Sequence, residues 1–92
     1  MDSTALSGLQ LETELLLIER LQDIGLRIDQ RSVGGEMEPY IECLIKDVRI
    51  WLYYDGEACI IGRGVDRVFE IYDYDSPEEL RAAFLDKLLA LF

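Results

Sequence analysis

An α+β domain is predicted over residues 1–92. It is a two-layer sandwich with an N-terminal helix, an antiparallel meander of four strands (five if a short edge strand joins) and a C-terminal helix. Three observations predict it. A leucine-rich stretch near the start repeats its apolar residues at helical spacing. The middle of the chain alternates in short runs separated by the turn signals Lys46-Asp47 and Asp55-Gly56. Ser76-Pro77-Glu78-Glu79 then opens a second amphipathic helix.

The first helix is predicted from Ser3 or Ser7 to Ile24. Leu11, Leu15, Ile18 and Leu21 form the stripe expected to face the core, with Leu17 and Ile24 widening it. Glu12, Glu19, Arg20 and Asp23 fall mostly on the other side. So wide an apolar arc fits a helix that is well buried or shares a face with a second subunit. Gly25 stops the helix in the left-handed conformation, and Leu26 is placed to pack back on the last turn. Leu26–Asp29 alternates as a short edge strand would, and Gln30–Met37, with Gly34-Gly35, reads as a turn or loop.

Pro39 suits the start of a strand. Tyr40–Lys46 then sets Ile41, Cys43 and Ile45 on one face and Tyr40, Glu42 and Leu44 on the other. A turn at Lys46-Asp47 places Ile45 opposite Val48. Val48, Ile50, Leu52 and Tyr54 consequently point inward, and Arg49, Trp51 and Tyr53 outward. After Asp55-Gly56 two registers are open. A two-residue turn brings Cys59 and Ile61 to the core, whereas one further loop residue or a bulge brings Ala58 and Ile60 there. In both, the strand is apolar on each face, as a central strand is. Val65–Tyr74 reads as the last strand, with Phe69 and Ile71 inward and Val68, Glu70, Tyr72 and Tyr74 outward. In the final helix Ser76 caps, Pro77 takes the first position and Glu79 closes a capping box. Leu80, Phe84, Leu88 and Leu91 form the stripe that docks on the sheet, and the helix runs to Phe92.

Half of the residues are hydrophobic, which supports a core and argues against disorder. Uninterrupted aliphatic runs such as Leu15–Ile18 are far short of the ~20 apolar residues that span a membrane. Met1-Asp2-Ser3-Thr4 lacks the basic region of a secretory signal, so a soluble cytoplasmic protein is expected. Nineteen acids against nine bases give a net charge of -10. That sign disfavours nucleic acid and anionic membranes as ligands and favours a basic protein partner; solubility alone is the other explanation of it. Cys43 and Cys59 are too few for a disulfide scaffold. On strands flanking a central one they stand roughly 9.6 Å apart, beyond the about 7 Å that a disulfide permits. Two free, buried thiols are expected.

With no histidine, the chain lacks the commonest general base and every nucleophile pair or metal site that uses one. Gly62-Arg63-Gly64 is missing the third glycine and following helix of a dinucleotide loop. Asp73, Asp75, Glu78 and Glu79 lack the frame of a calcium loop and suit a helix N-terminus. Glu42 and Glu70 have nothing to set their pKa values apart. No catalytic residue, cofactor or metal ligand is nominated, and no enzyme is expected. The outward sheet face is the candidate partner-binding surface: Tyr40, Glu42, Arg49, Trp51, Tyr53, Glu70, Tyr72 and Tyr74. Trp, Tyr and Arg are the types enriched in interface hot spots. Three fates are open to this face: a partner, coverage by one of the chain's own helices, or water.

Val48–Glu57, a strand with aromatic residues ending in Asp-Gly-Glu, and the run Phe69–Leu80 resemble small bacterial immunity proteins, which neutralise secreted toxins by covering the active site. The resemblance covers roughly the last half of the chain and carries no invariant residue over to a position here. It implies a cytoplasmic, acidic, tight-binding inhibitor. Leu15–Leu26, a leucine-rich helix ending in Ile24-Gly25-Leu26, is similar to the opening of type III secretion chaperones. That resemblance implies a homodimer, with the first helix as the dimer or client surface; the outer sheet face is the other possible dimer surface. An acidic inhibitor imitating DNA is a third reading, weakened by Arg27, Arg31, Arg49, Arg63 and Arg67 interspersed among the acids.

Overall fold

Helix α1 spans Gly8–Asp23, strands β1 to β5 span Gln30–Gly34, Tyr40–Ile45, Val48–Leu52, Ala58–Gly62 and Val65–Phe69, and helix α2 spans Pro77–Leu89. The structure is a computed structural model describing residues 5–92; Met1–Thr4, including the alternative cap Ser3, lie outside the described residues. The five strands lie in chain order, each antiparallel to the next. The predicted helix, meander and helix are therefore all present, with five strands rather than four. No helix among the described residues is long and apolar enough to cross a membrane.

Tight turns set the meander. Lys46 adopts φ 56° in the β2–β3 turn, and Ile45 stands opposite Val48 as predicted. The next hairpin resolves the open register. Tyr53 donates its backbone N–H to Glu57 O at 2.8 Å, and Gly56 donates to Tyr53 O at 3.0 Å, with Gly56 at φ 97°. A turn followed by a left-handed glycine adds one residue to the loop. Leu52 consequently pairs with Ala58, and Ala58 and Ile60 take the core face. Tyr54, expected inward, sits in that turn and is exposed.

One face of the sheet carries Ile41, Cys43, Ile45, Val48, Ile50, Leu52, Ala58, Ile60 and Phe69, all buried. Both helices cover this face. α2 brings Leu80, Phe84, Leu85 and Leu88 to it, with the Phe84 and Phe69 rings edge-to-face at 5.7 Å. Leu91 packs at the margin, beyond the end of the helix. Ser76 accepts the Glu79 N–H as expected, but the Glu79 carboxylate reaches Asp75 N rather than closing the box on Ser76. The closed capping box belongs to α1, between Ser7 and Gln10.

Two expectations about the first part of the chain are corrected. The edge strand is Gln30–Gly34, within the stretch read as loop, and Leu26–Asp29 only leads into it. Gln30–Gly34 reads as polar because an edge strand little covered by the helices has no apolar alternation to show. The second correction concerns the setting of α1. Its buried residues are Gln10, Thr13, Glu14, Leu17 and Leu21, while Leu11, Leu15 and Ile18 face outward, as does Ile24 past the helix end. The Gln10 amide explains this. Its nitrogen donates to Pro39 O at 2.7 Å and Leu52 O at 2.9 Å, and its oxygen accepts from Ser7 N at 2.9 Å. Ser7 Oγ donates to Tyr54 O at 2.7 Å. Arg81 Nε donates to Thr13 Oγ1 at 2.9 Å, and Arg31 pairs with Glu14. These bonds turn a polar face of the helix inward at its N-terminal half and leave Leu17 and Leu21 to fill the core. The stop is as expected: Gly25 at φ 76°, with Leu26 N donating back to Leu21 O at 2.8 Å.

Leu17→Ala should therefore cost about 2–5 kcal/mol, while Leu15→Ala should stay within about 0.5 kcal/mol of the parent. Gln10→Leu, which strands two buried carbonyls, should cost about 1–3 kcal/mol for each. Urea denaturation of the three variants measures this; a large loss for Leu15→Ala would return α1 to the orientation its leucines suggest.

Candidate functional site

Because both helices occupy one face, the other carries no helix among the described residues. Register places three rows of side chains there. The central row is Ser32, Glu42, Trp51, Cys59 and Val68 from β1 to β5. One flanking row is Gln30, Leu44, Arg49, Ile61 and Asp66. The other begins with Gly34 and Tyr40 and continues through Tyr53 and Glu57. Of the three fates open to this face, coverage by the chain's own helices is thus excluded.

The aromatic residues lie against the sheet. The Tyr40 ring stands over Gly34, where an added Cβ would fall 2.5 Å from the Tyr40 hydroxyl; only glycine admits so close an approach. Trp51 is half-buried opposite Cys59. Cys59 is only 6% exposed although no helix covers it, so neighbouring side chains such as Trp51 and Val68 shield it. Burial pushes the Tyr53 hydroxyl pKa up, and nearby Cys59, Tyr40 and Glu57 add to the shift. Burial, then Asp66, likewise raises the Cys59 thiol. Tyr40 of β2, Trp51 of β3 and Tyr53 just past β3 thus share one platform, with Ile61 and Val68 exposed beside it.

The platform's charges are mostly acidic. Glu42 and Arg49 pair at 2.5 Å, which balances the only base that β2 and β3 carry on this face. Glu57 is held in place at both ends: its N–H donates to Asp55 Oδ1 at 3.0 Å, and its carboxylate accepts the Ile71 N–H at 3.1 Å. Asp66 and Glu70 are exposed along the β5 side. A shallow depression of about 360 Å³ opens beside Ser32, Glu42 and Arg49. Among the described residues, no three His, Cys, Asp or Glu side chains are grouped to hold a metal. What the arrangement offers is contact: flat aromatic area, aliphatic neighbours and an acidic margin.

Of the predicted site residues, Tyr40, Glu42, Arg49, Trp51 and Tyr53 are brought together here, with Glu70 just past the end of β5. Tyr72 and Tyr74 are not. β5 ends at Phe69, and Ile71–Asp73 forms a 3₁₀ turn that breaks the alternation on which both placements rested. Tyr72 projects into solvent at 87% exposure, and Tyr74 packs against the margin of the core. Ile71, expected in the core, is partly exposed in the same turn. Leu44, Cys59, Ile61 and Val68 belong to the face but were not nominated. The alternation of β2 and of Val68 could have found two of them, while Cys59 and Ile61 depended on the loop register at Gly56.

Compared with known proteins, the chain matches no family model, no curated protein and no solved structure.

The two thiols are free and buried, on opposite faces of the sheet. Burial in the core, reinforced by Glu14, pushes the Cys43 thiol up to about 12. An unfolded chain releases that proton near pH ~9, so above this the folded state binds more protons and stability falls as pH rises towards about 12. Below pH ~9 the thiol is protonated in both states and contributes no slope. Between about pH 9 and 11 the unfolding free energy should fall more steeply than in Cys43→Ala, by about 1.4 kcal/mol per pH unit. Equal slopes would mean that the thiol is not shielded from water.

Proposed function

We propose that this chain is a non-catalytic protein-binding module, an immunity- or antitoxin-type inhibitor that seats a basic partner on its uncovered sheet face. The observation that carries the proposal is the placement of both helices on one side. It leaves Trp51, Tyr40 and Tyr53 turned towards solvent, flanked by exposed Ile61 and Val68. Contiguous apolar surface of this kind, rimmed by polar groups, marks interaction sites on soluble proteins. Trp and Tyr supply large contact area at low entropic cost, and the Glu42–Arg49 pair offers polar contacts beside them. The net charge of -10 adds long-range attraction for a basic surface and accelerates encounter more than it tightens the complex. Inhibition then needs no chemistry from this chain; occlusion of the partner's working surface is sufficient.

The secretion-chaperone reading draws on another observation, the outward stripe Leu11, Leu15 and Ile18 of α1, and expects the isolated chain to be a dimer.

The test is co-expression with the protein encoded beside it, followed by affinity measurement on purified components. A one-to-one complex is expected, with the partner's activity suppressed. Trp51→Ala and Tyr53→Ala should each weaken it by about 2 kcal/mol or more, roughly thirtyfold, while melting cooperatively. Unchanged affinity would place the interface elsewhere, and loss of the cooperative melt would make these residues structural.

A further inference from the structure

Two helices cover about four strands, so the helix layer falls short of the five-stranded sheet beneath it by one edge strand. Adjacent strands lie ~4.8 Å apart and packed helices ~8–10 Å apart, so each helix covers roughly two strands. α1 packs nearest β3 and α2 nearest β4; at β1 the inner face meets α1 through the Arg31–Glu14 pair, while Val33 beside it stays uncovered. Val33 occupies a position on that face that would be core elsewhere, opposite Ile41, and is 46% exposed. The outward stripe of α1, the helix joined to β1 through Glu14, has Leu11 46%, Leu15 58% and Ile18 37% exposed. The Arg31–Glu14 pair ties this wall to the β1 floor and neutralises both charges at the junction. The result is an apolar step, open to solvent, at the edge of the sandwich.

We infer that this step is a docking groove for a basic amphipathic helix of a partner protein. Its apolar residues would complete the layer against Leu11, Leu15, Ile18 and Val33. Charge selects the occupant. Glu12, Glu19 and Asp23 recur along the flank of α1 next to Leu15, although Glu12 also accepts a bond from Arg81 at 3.2 Å. Lysines or arginines flanking an apolar stripe would meet that row. A second copy packed antiparallel through the same stripe would instead set Glu12 and Glu19 of one chain against Glu19 and Glu12 of the other, between molecules that each carry -10. Helix-in-groove recognition by anchors at i, i+4 and i+7 matches the spacing that α1 presents. The groove lies on the helix side of the sheet, so it is separate from the Trp51 face and does not depend on that reading.

The probe is a synthetic helical peptide with a leucine stripe and flanking lysines, titrated into the isotopically labelled full chain and followed by NMR. Its twin carries glutamate in place of lysine. Shift changes are expected at Leu11, Leu15, Ile18 and Val33, with the glutamate twin at least about tenfold weaker. Leu15→Glu should weaken the lysine peptide by at least about tenfold without altering the melt; Val33→Lys makes the same test from the strand side should Leu15→Glu misfold. Trp51→Ala should bind the peptide as the parent does. Equal binding of the two peptides, shift changes on the outer sheet face, or no binding would each overturn the proposal. So would sedimentation of the free chain as a dimer that Leu15→Glu dissolves, which would assign the groove to a second copy.

Discussion

The side-chain amide of Gln10 holds the rest of the architecture in register. It is 1% exposed and serves three backbone groups: Ser7 N, Pro39 O and Leu52 O. Pro39 precedes β2 and Leu52 ends β3, so one residue ties the start of α1 to the end of the central hairpin. Rotating α1 to bury Leu11, Leu15 and Ile18 would return about 1.5–3 kcal/mol per side chain. It would also withdraw Leu17 and Leu21, which are fully buried, so the apolar terms nearly cancel. The polar terms do not. Each carbonyl left without its donor in the interior costs about 1–3 kcal/mol. A helix apolar over so much of its circumference is thus oriented by its polar contacts, with Thr13–Arg81 and Glu14–Arg31 adding to the same preference.

That orientation has consequences on both sides of the sheet. On the helix side it exposes a stripe of leucines on a helix whose Glu14 meets an edge strand with Val33 uncovered. On the far side no helix among the described residues covers Trp51, because the helices sit at the two ends of a meander and both turn back onto the same face. Cys59 shows how that face accommodates its exposure: the thiol is shielded by its cross-strand neighbours Trp51 and Val68 rather than by a second layer. Cross-strand contacts of this kind stabilise an exposed sheet by ~0.2–1 kcal/mol per pair, enough to order the platform. The surface can therefore be both structurally settled and available for a partner.

The sequence and the structure agree where a residue's role is set by its neighbours in the chain. Lys46-Asp47 placed Ile45 against Val48, Ser76 and Pro77 started α2, and Gly25 stopped α1, because turns and caps are made by residues within a few positions of one another. The inward alternation of β2 and β3 was legible for the same reason, and with it Tyr40, Glu42, Arg49, Trp51 and Tyr53 as one face. Tyr72 and Tyr74 were misplaced because extending an alternation past Phe69 assumes that the strand continues, and no partner strand lies beyond Ala58 to hold it. β1 was missed because it is paired on one side only, and its side chains carry no burial pattern.

By itself, then, the sequence determined the class of fold, the succession of its main elements and the residues between Tyr40 and Tyr53 that share the face of Trp51. Only the tertiary structure decided which way α1 turns, which register β4 takes and whether a helix lies over Trp51. Hydrogen bonds from Gln10 reach carbonyls 29 and 42 residues away, and no local periodicity records them. One extra loop residue at Gly56 exchanges the faces of a strand that is apolar on both. With its outer side left bare by that packing, Val48–Leu52 is the core's central strand on one face and the candidate site on the other.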